Sequence, residues 1–178
     1  FVMVGGDQCI GKSEEYLYNS FCDIMQPVIS RGIPWAHVYG NHDRESEMTT
    51  AEQQTVYEKI PHCFSQRGPE DLFGVCNYCI PVYAHDSDKV AYNLFALDSN
   101  REISDYFEQF GIREEDNNML LPFAFGSRSV QSMPFFSQVM WYYNKSRELE
   151  HLNGSKAPAL LFMHNPILEF NLIFRNPE

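Results

Sequence analysis

Apolar and polar positions fall into short blocks whose period changes along the chain. Residues 1–4 form an unbroken apolar run that stops at Gly5, Gly6 and Asp7, which predicts a buried strand with a tight exit turn. Ser13, followed by Glu14 and Glu15, is a helix start: a hydroxyl for the first N–H groups and negative charge for the dipole. Leu17, Phe21, Ile24, Met25, Val28 and Ile29 then recur at helical spacing, and Gly32 and Pro34 end the run. Residues 34–39 are a second apolar strand, so the order strand, helix, strand predicts a right-handed parallel crossover.

Further on, residues 49–60 predict a helix capped by Thr49 or Thr50. Residues 72–83 and 89–97 predict two strands, and the polar cluster Asp86, Ser87, Asp88 between them makes a β-hairpin. Residues 99–133 show no clear period, acidic first and aromatic later, as in a functional lid or an insertion. Residues 134–152 predict a helix with Pro134 near its first position and Gly154 beyond its end. Residues 157–163 predict a last buried strand running into His164, Asn165 and Pro166. With no repeat, low-complexity tract or linker, the pattern reads as one α/β domain, residues 1–178, with an antiparallel part.

Composition narrows the class. An apolar fraction of 44% and an aromatic fraction of 15% exclude a disordered chain. The net charge of -11 excludes broad binding to nucleic acid or anionic membrane. It also repels a phosphate-bearing substrate unless bound cations reverse the local field. Five cysteines, Cys9, Cys22, Cys63, Cys76 and Cys79, make no disulfide framework, and the Cys76/Cys79 spacing sits in an apolar run without a second pair, which speaks against zinc or redox use. No run reaches the roughly 18 apolar residues of a membrane span. No signal peptide is visible, but both ends read as cut within elements, which leaves the compartment open.

The chemistry gathers at strand ends. Three predicted strands stop at Asp7, at Asn41, His42 and Asp43, and at His164. In α/β sheets the ligand crevice lies beyond the carboxyl ends of the strands, so adjacent parallel strands would bring these residues together. Carboxylate, amide and imidazole donors suit manganese, iron, zinc or magnesium. A carboxylate such as Asp7 can bridge two ions, and ions roughly 3.5–4 Å apart can hold a hydroxide and clamp a phosphoryl group. The plain alternative is a set of polar turns, and what favours a site is that each motif follows its own apolar strand.

At these residues the chain resembles the calcineurin-like metallophosphoesterases, whose ordered signature is Asp-x-His, Gly-Asp, Gly-Asn-His-Asp/Glu, a single His, and Gly-x-His-x-His. Gly6 and Asp7 match the second block, Gly40, Asn41, His42 and Asp43 the third, and His164 the fourth. Three other stretches, GVCNYCIPVY, AYNLFALDSN and SQVMWYYNKSREL, resemble a subgroup of small phosphatases related to the purple acid phosphatases. The resemblance covers nearly the whole chain except the irregular segment after Asn100. It implies a four-layer α/β/β/α sandwich with mixed sheets, incomplete here, and two divalent or mixed-valence ions of manganese, iron or zinc.

The resemblance also implies roles. Asp7 bridges the metals; Asn41 and His164 bind the second one. His42 faces the leaving group as general acid or stabilises phosphoryl charge, and Asp43 holds the loop and tunes His42. A metal-bridging hydroxide attacks phosphorus in line. The implied reaction is hydrolysis of a phosphate monoester, on a small molecule or a phosphoprotein, with no nucleic-acid partner and no membrane span. A nucleotide or phospholipid phosphodiesterase and a non-catalytic scaffold of the same fold stay as alternatives.

Three departures qualify the match. Asp-x-His and Gly-x-His-x-His are absent from residues 1–178, as if the segment starts after the first and stops before the last, so this segment alone is expected to bind metal weakly and turn over poorly or not at all. Ile10 stands where the purple subgroup has a tyrosine ligand and the Ser/Thr phosphatase branch an aspartate that orients the catalytic histidine. His42 therefore needs another partner, Asp43 or a residue outside the segment.

The remaining residues take structural readings. Arg101, Arg113 and Arg128 are solvated charges before they are phosphate contacts. Trp35 and Trp141 are core or core-edge rings, Asp98 is structural, and His37, His62, His85 and His151 are surface or hydrogen-bonded. Asn144 and Asn153 each begin an N-x-S glycosylation pattern.

Overall fold

The computed structural model describes residues 1–101 and 134–167. The element order is β1 (Val2–Val4), α1 (Glu14–Ile29), β2 (Trp35–His37), a 3₁₀ turn (His42–Glu45), α2 (Thr50–Tyr57), β3 (Tyr78–Tyr83), β4 (Val90–Ala96), α3 (Phe136–Asn153) and β5 (Ala159–Phe162). This is a mixed α/β structure with two small sheets. β1 and β2 pair in parallel, Val2 opposite Trp35 and Val4 opposite His37, while β3, β4 and β5 form the other sheet in that order. The β3–β4 hairpin is antiparallel and β4–β5 parallel.

Local chemistry explains the boundaries. Ser13 Oγ accepts from Tyr16 N–H and opens α1. Thr49 rather than Thr50 caps α2: its hydroxyl accepts from Glu52 N–H while the Glu52 carboxylate accepts from Thr49 N–H, a reciprocal capping box. α1 turns Leu17, Phe21 and Met25 inward at fourfold spacing. Phe21 packs against Trp35 and Tyr57, with ring centroids 5.0 and 4.8 Å away. Burying a ring of that size contributes about 1.5–3 kcal/mol, and this aromatic cluster joins α1, β2 and α2 into the core.

Several expectations change. β1 is only partly buried, and β5 is largely exposed, with Leu160 and Leu161 open to solvent. β5 pairs with β4 on one side only, so its apolar run has one hydrogen-bonded neighbour among the described residues. β3 starts at Tyr78, not Leu72, because Gly74 and Cys76 both adopt left-handed backbone that no strand accommodates. Pro134 lies before the N-cap Phe135 of α3 rather than at its first helical position. The strand ends meet although β5 pairs with β4 and not with β1 or β2. Most of the irregular segment, with Arg113 and Arg128, falls in 102–133, outside the described residues. Among the described residues no helix is long and apolar enough to cross a membrane.

Candidate metal centre

The exits of β1 and β2 are locked together by one carboxylate. Asp43, fully buried, accepts backbone N–H bonds from Asp7 (2.9 Å), Gly40 (2.7 Å) and Gln8 (3.0 Å). Burial pushes its carboxyl above the ordinary range, the three donors pull it back, and the charge of Asp7 pushes it up again. Gln53 Nε2 donates to the Asp43 carbonyl at 2.8 Å, and Gln8 Nε2 to the Val38 carbonyl at 2.8 Å. Asp43 thus ties the two loops together through three hydrogen bonds.

Glycine makes the approach possible. A Cβ on Gly40 would run into the Asp7 carboxylate, and one on Gly6 would sit 2.6 Å from His164 Nδ1 and 2.7 Å from Gly40 N. Gly6 is also left-handed, and Asp7 follows it into that region at φ 56°. The result is a carboxylate turned between two loops. Asp7 Oδ1 accepts from His42 N–H at 3.0 Å, and Oδ2 lies 3.2 Å from His164 Nε2.

His164 arrives from the end of β5. Its Nδ1 is 2.7 Å from the Gly5 carbonyl, so that nitrogen carries the proton, and Nε2 faces Asp7. A histidine that gives one N–H to a carbonyl and points the other nitrogen at a carboxylate is arranged as metal-ligating histidines are. Two donors about 3 Å apart also span one edge of a coordination shell with bonds of about 2.0–2.2 Å. Asn41 begins the 3₁₀ turn, and its side chain does not cap that turn. The donor types fit a divalent ion, but among the described residues no group of three His, Cys, Asp or Glu side chains is placed to hold one.

Two residues add what the sequence did not assign. The carboxylate on the His42 ring is Glu45, 2.9 Å from Nδ1, while Asp43 is turned inward to the backbone. The signal was present as a three-residue spacing within a 3₁₀ turn. Asp98, read as structural, is the hub of a buried network: it accepts from Arg44 Nη2 (2.6 Å) and from the backbone N–H groups of Val75 and Asn100 (2.8 Å each). Gln138 of α3 donates to Asn77 Oδ1 (2.8 Å) and to the Asp98 carbonyl (2.7 Å), and accepts from Asn100 Nδ2 (3.0 Å). The three stretches quoted for the phosphatase subgroup therefore meet in space, and through Arg44 they brace the turn that carries His42.

Asp7, the His42 backbone and His164 therefore meet at one edge of a mixed α/β structure. Comparison with known proteins makes the relation specific: the chain is related to the purple acid phosphatases and, with them, to the calcineurin-like phosphoesterases. It is 30% identical over 192 residues to the "Probable inactive purple acid phosphatase 28" of Arabidopsis thaliana, covering 97% of this chain and 42% of that protein. It is 28% identical over 194 residues to "Probable inactive purple acid phosphatase 14" of the same plant, covering 99% and 44%. "Phosphatase DCR2" of Saccharomyces cerevisiae is 34% identical over 101 residues, 54% of this chain and 17% of that protein. The chain thus spans less than half the length of these relatives. No family model matches it, and no solved structure matches it significantly.

Proposed function

We propose that this chain supplies the central part of a dinuclear, metal-dependent phosphoesterase that hydrolyses phosphate monoesters, within a four-layer sandwich completed by residues outside it. The observation that carries the reading is the Asp7 carboxylate, held between His164 Nε2 and the His42 backbone by loops that Asp43 pins together. The relatives named as phosphatases support the reaction class.

Asp7, Asn41 and His164 would hold the metal. Two divalent ions bound there would activate water and neutralise phosphoryl charge, which the net charge of -11 makes necessary. The backbone N–H of His42 orients the Asp7 carboxylate, and the Gly5 carbonyl orients His164. His42 itself, exposed on the turn, is the group that meets the leaving-group oxygen.

The test is hydrolysis of 4-nitrophenyl phosphate by the full chain with manganese. Asp7→Asn and His164→Ala should each lower kcat by at least about a hundredfold and weaken metal binding measured by calorimetry. Turnover that survives both substitutions would remove the site as assigned. A second reading has its own support: several relatives are named probable inactive. On that reading the full chain binds phosphate esters without turning them over, and the same assay separates the two.

A further inference from the structure

The 3₁₀ turn sets two side chains on one side of its axis. Three residues per turn eclipse positions i and i+3, and His42 and Glu45 stand in that relation. The turn beneath them is fixed at each intervening residue: Asp43 by three backbone N–H groups, Arg44 by Asp98, and Ser46 just beyond by its hydroxyl on the Gly11 carbonyl at 2.9 Å. Arg101 Nη2 stands 3.9 Å from Glu45 Oε1, a second hold on the same carboxylate.

As an energy term this pair is small, because its side chains are 58% and 40% exposed. Its effect is geometric. A carboxylate that accepts from Nδ1–H selects the tautomer and the ring plane, which makes Nε2 the nitrogen left for chemistry. Ile10, whose side chain has no polar atom and is half exposed, offers no hydrogen bond to the His42 ring.

We propose that Glu45 is the positioning residue of His42: it holds Nδ1 so that Nε2 meets the leaving-group oxygen of a phosphate ester. The inference rests on the phosphoesterase reading and on the place of His42 in it. In the step, His42 enters as the imidazolium, with Nδ1–H on Glu45 and a proton taken up from solvent on Nε2, and the Nε2 proton passes to the leaving oxygen as that oxygen takes the P–O bonding pair. Water supplies the oxygen that bonds to phosphorus and gives up a proton to solvent. His42 is left neutral, with its remaining proton on Nδ1 toward Glu45.

The experiment compares two esters in the full chain with manganese: phenyl phosphate, a poor leaving group, and 4-nitrophenyl phosphate, a good one. Glu45→Ala should lower kcat on phenyl phosphate about tenfold to a hundredfold and on 4-nitrophenyl phosphate far less. Glu45→Gln, which keeps an acceptor oxygen, should recover most of the loss. His42→Ala should show the same leaving-group dependence, and the double variant no further loss. Equal losses on both esters, or additive losses, overturn the inference. If His42→Ala shows no leaving-group dependence, the role of His42 falls first. If His42→Ala shows it and Glu45→Ala does not, the positioning role alone falls. A second readout needs no turnover: the ¹⁵N spectrum of the His42 ring should show a hydrogen-bonded Nδ1–H in the parent and in Glu45→Gln, lost in Glu45→Ala. An unchanged ring spectrum in Glu45→Ala overturns the inference in an active or an inactive chain.

Discussion

At the scale of the residue, His37 shows how far a buried strand overrides residue type. β2 is buried on both faces, so every side chain on it is inside, including this imidazole. Its Nδ1 is 2.8 Å from Ser65 Oγ, its Nε2 is 3.5 Å from Cys76 Sγ, and the thiol donates onward to Gln54 Oε1 at 2.9 Å. Burial drives the His37 pKa from 6.5 to about 3 and pushes the Cys76 thiol up. The unfolded chain therefore takes up a proton below pH 6.5 that the folded chain refuses until about pH 3. Stability is full above that window and falls as pH drops through it, by about 1.4 kcal/mol per unit from this group. Urea unfolding between pH 6 and 4 should show a slope shallower by about that amount in His37→Gln. An unchanged slope would assign acid sensitivity to other groups. The sequence placed His37 among surface or hydrogen-bonded histidines without deciding between them, and nothing in its neighbours names Ser65 and Cys76, which lie 28 and 39 positions away.

At the scale of the element, α3 is held at its two ends. Near its start, buried Gln138 joins four groups, including the Phe135 backbone N–H at 2.7 Å. Gln138→Ala leaves Asn77, Asn100 and the Asp98 carbonyl short of partners, so it should cost about 2–4 kcal/mol in urea unfolding. A loss under about 1 kcal/mol would mean that water replaces the amide. The helix itself was legible, down to Gly154, which takes the left-handed C-terminal position at φ 72°. The exposure of β5 was not. An apolar run states that a strand is favoured, and whether it is covered depends on elements far away in sequence.

At the scale of the whole molecule, the site lies where two sheets bring their strand ends together. The order of motifs Asp7, Asn41–His42–Asp43 and His164 was readable, because each follows an apolar run that stops abruptly. Which strands pair was not, since register depends on partners that no local pattern encodes, and β5 turned out to belong with β4. The uneven burial predicts uneven stability. In native-state hydrogen exchange the amides of β2 should exchange only with global unfolding, while those of exposed β5 open at lower free energy. Equal protection in both strands would show that β5 is covered by further protein in solution. Opening of β5 would also carry His164 away from Asp7, so metal binding should raise its protection.

The last residue of α3 carries a different consequence. Asn153 is 8% exposed; its Oδ1 accepts from the Val90 N–H at 2.9 Å, and its Nδ2 donates to the Val90 and Ser155 carbonyls at 3.2 Å each. An amide nitrogen spent on two carbonyls is closed to an oligosaccharyltransferase, and a sugar attached before folding would strip the first residue of β4 of its partner. Of the two acceptor patterns, only exposed Asn144 leaves room for a glycan on the folded surface.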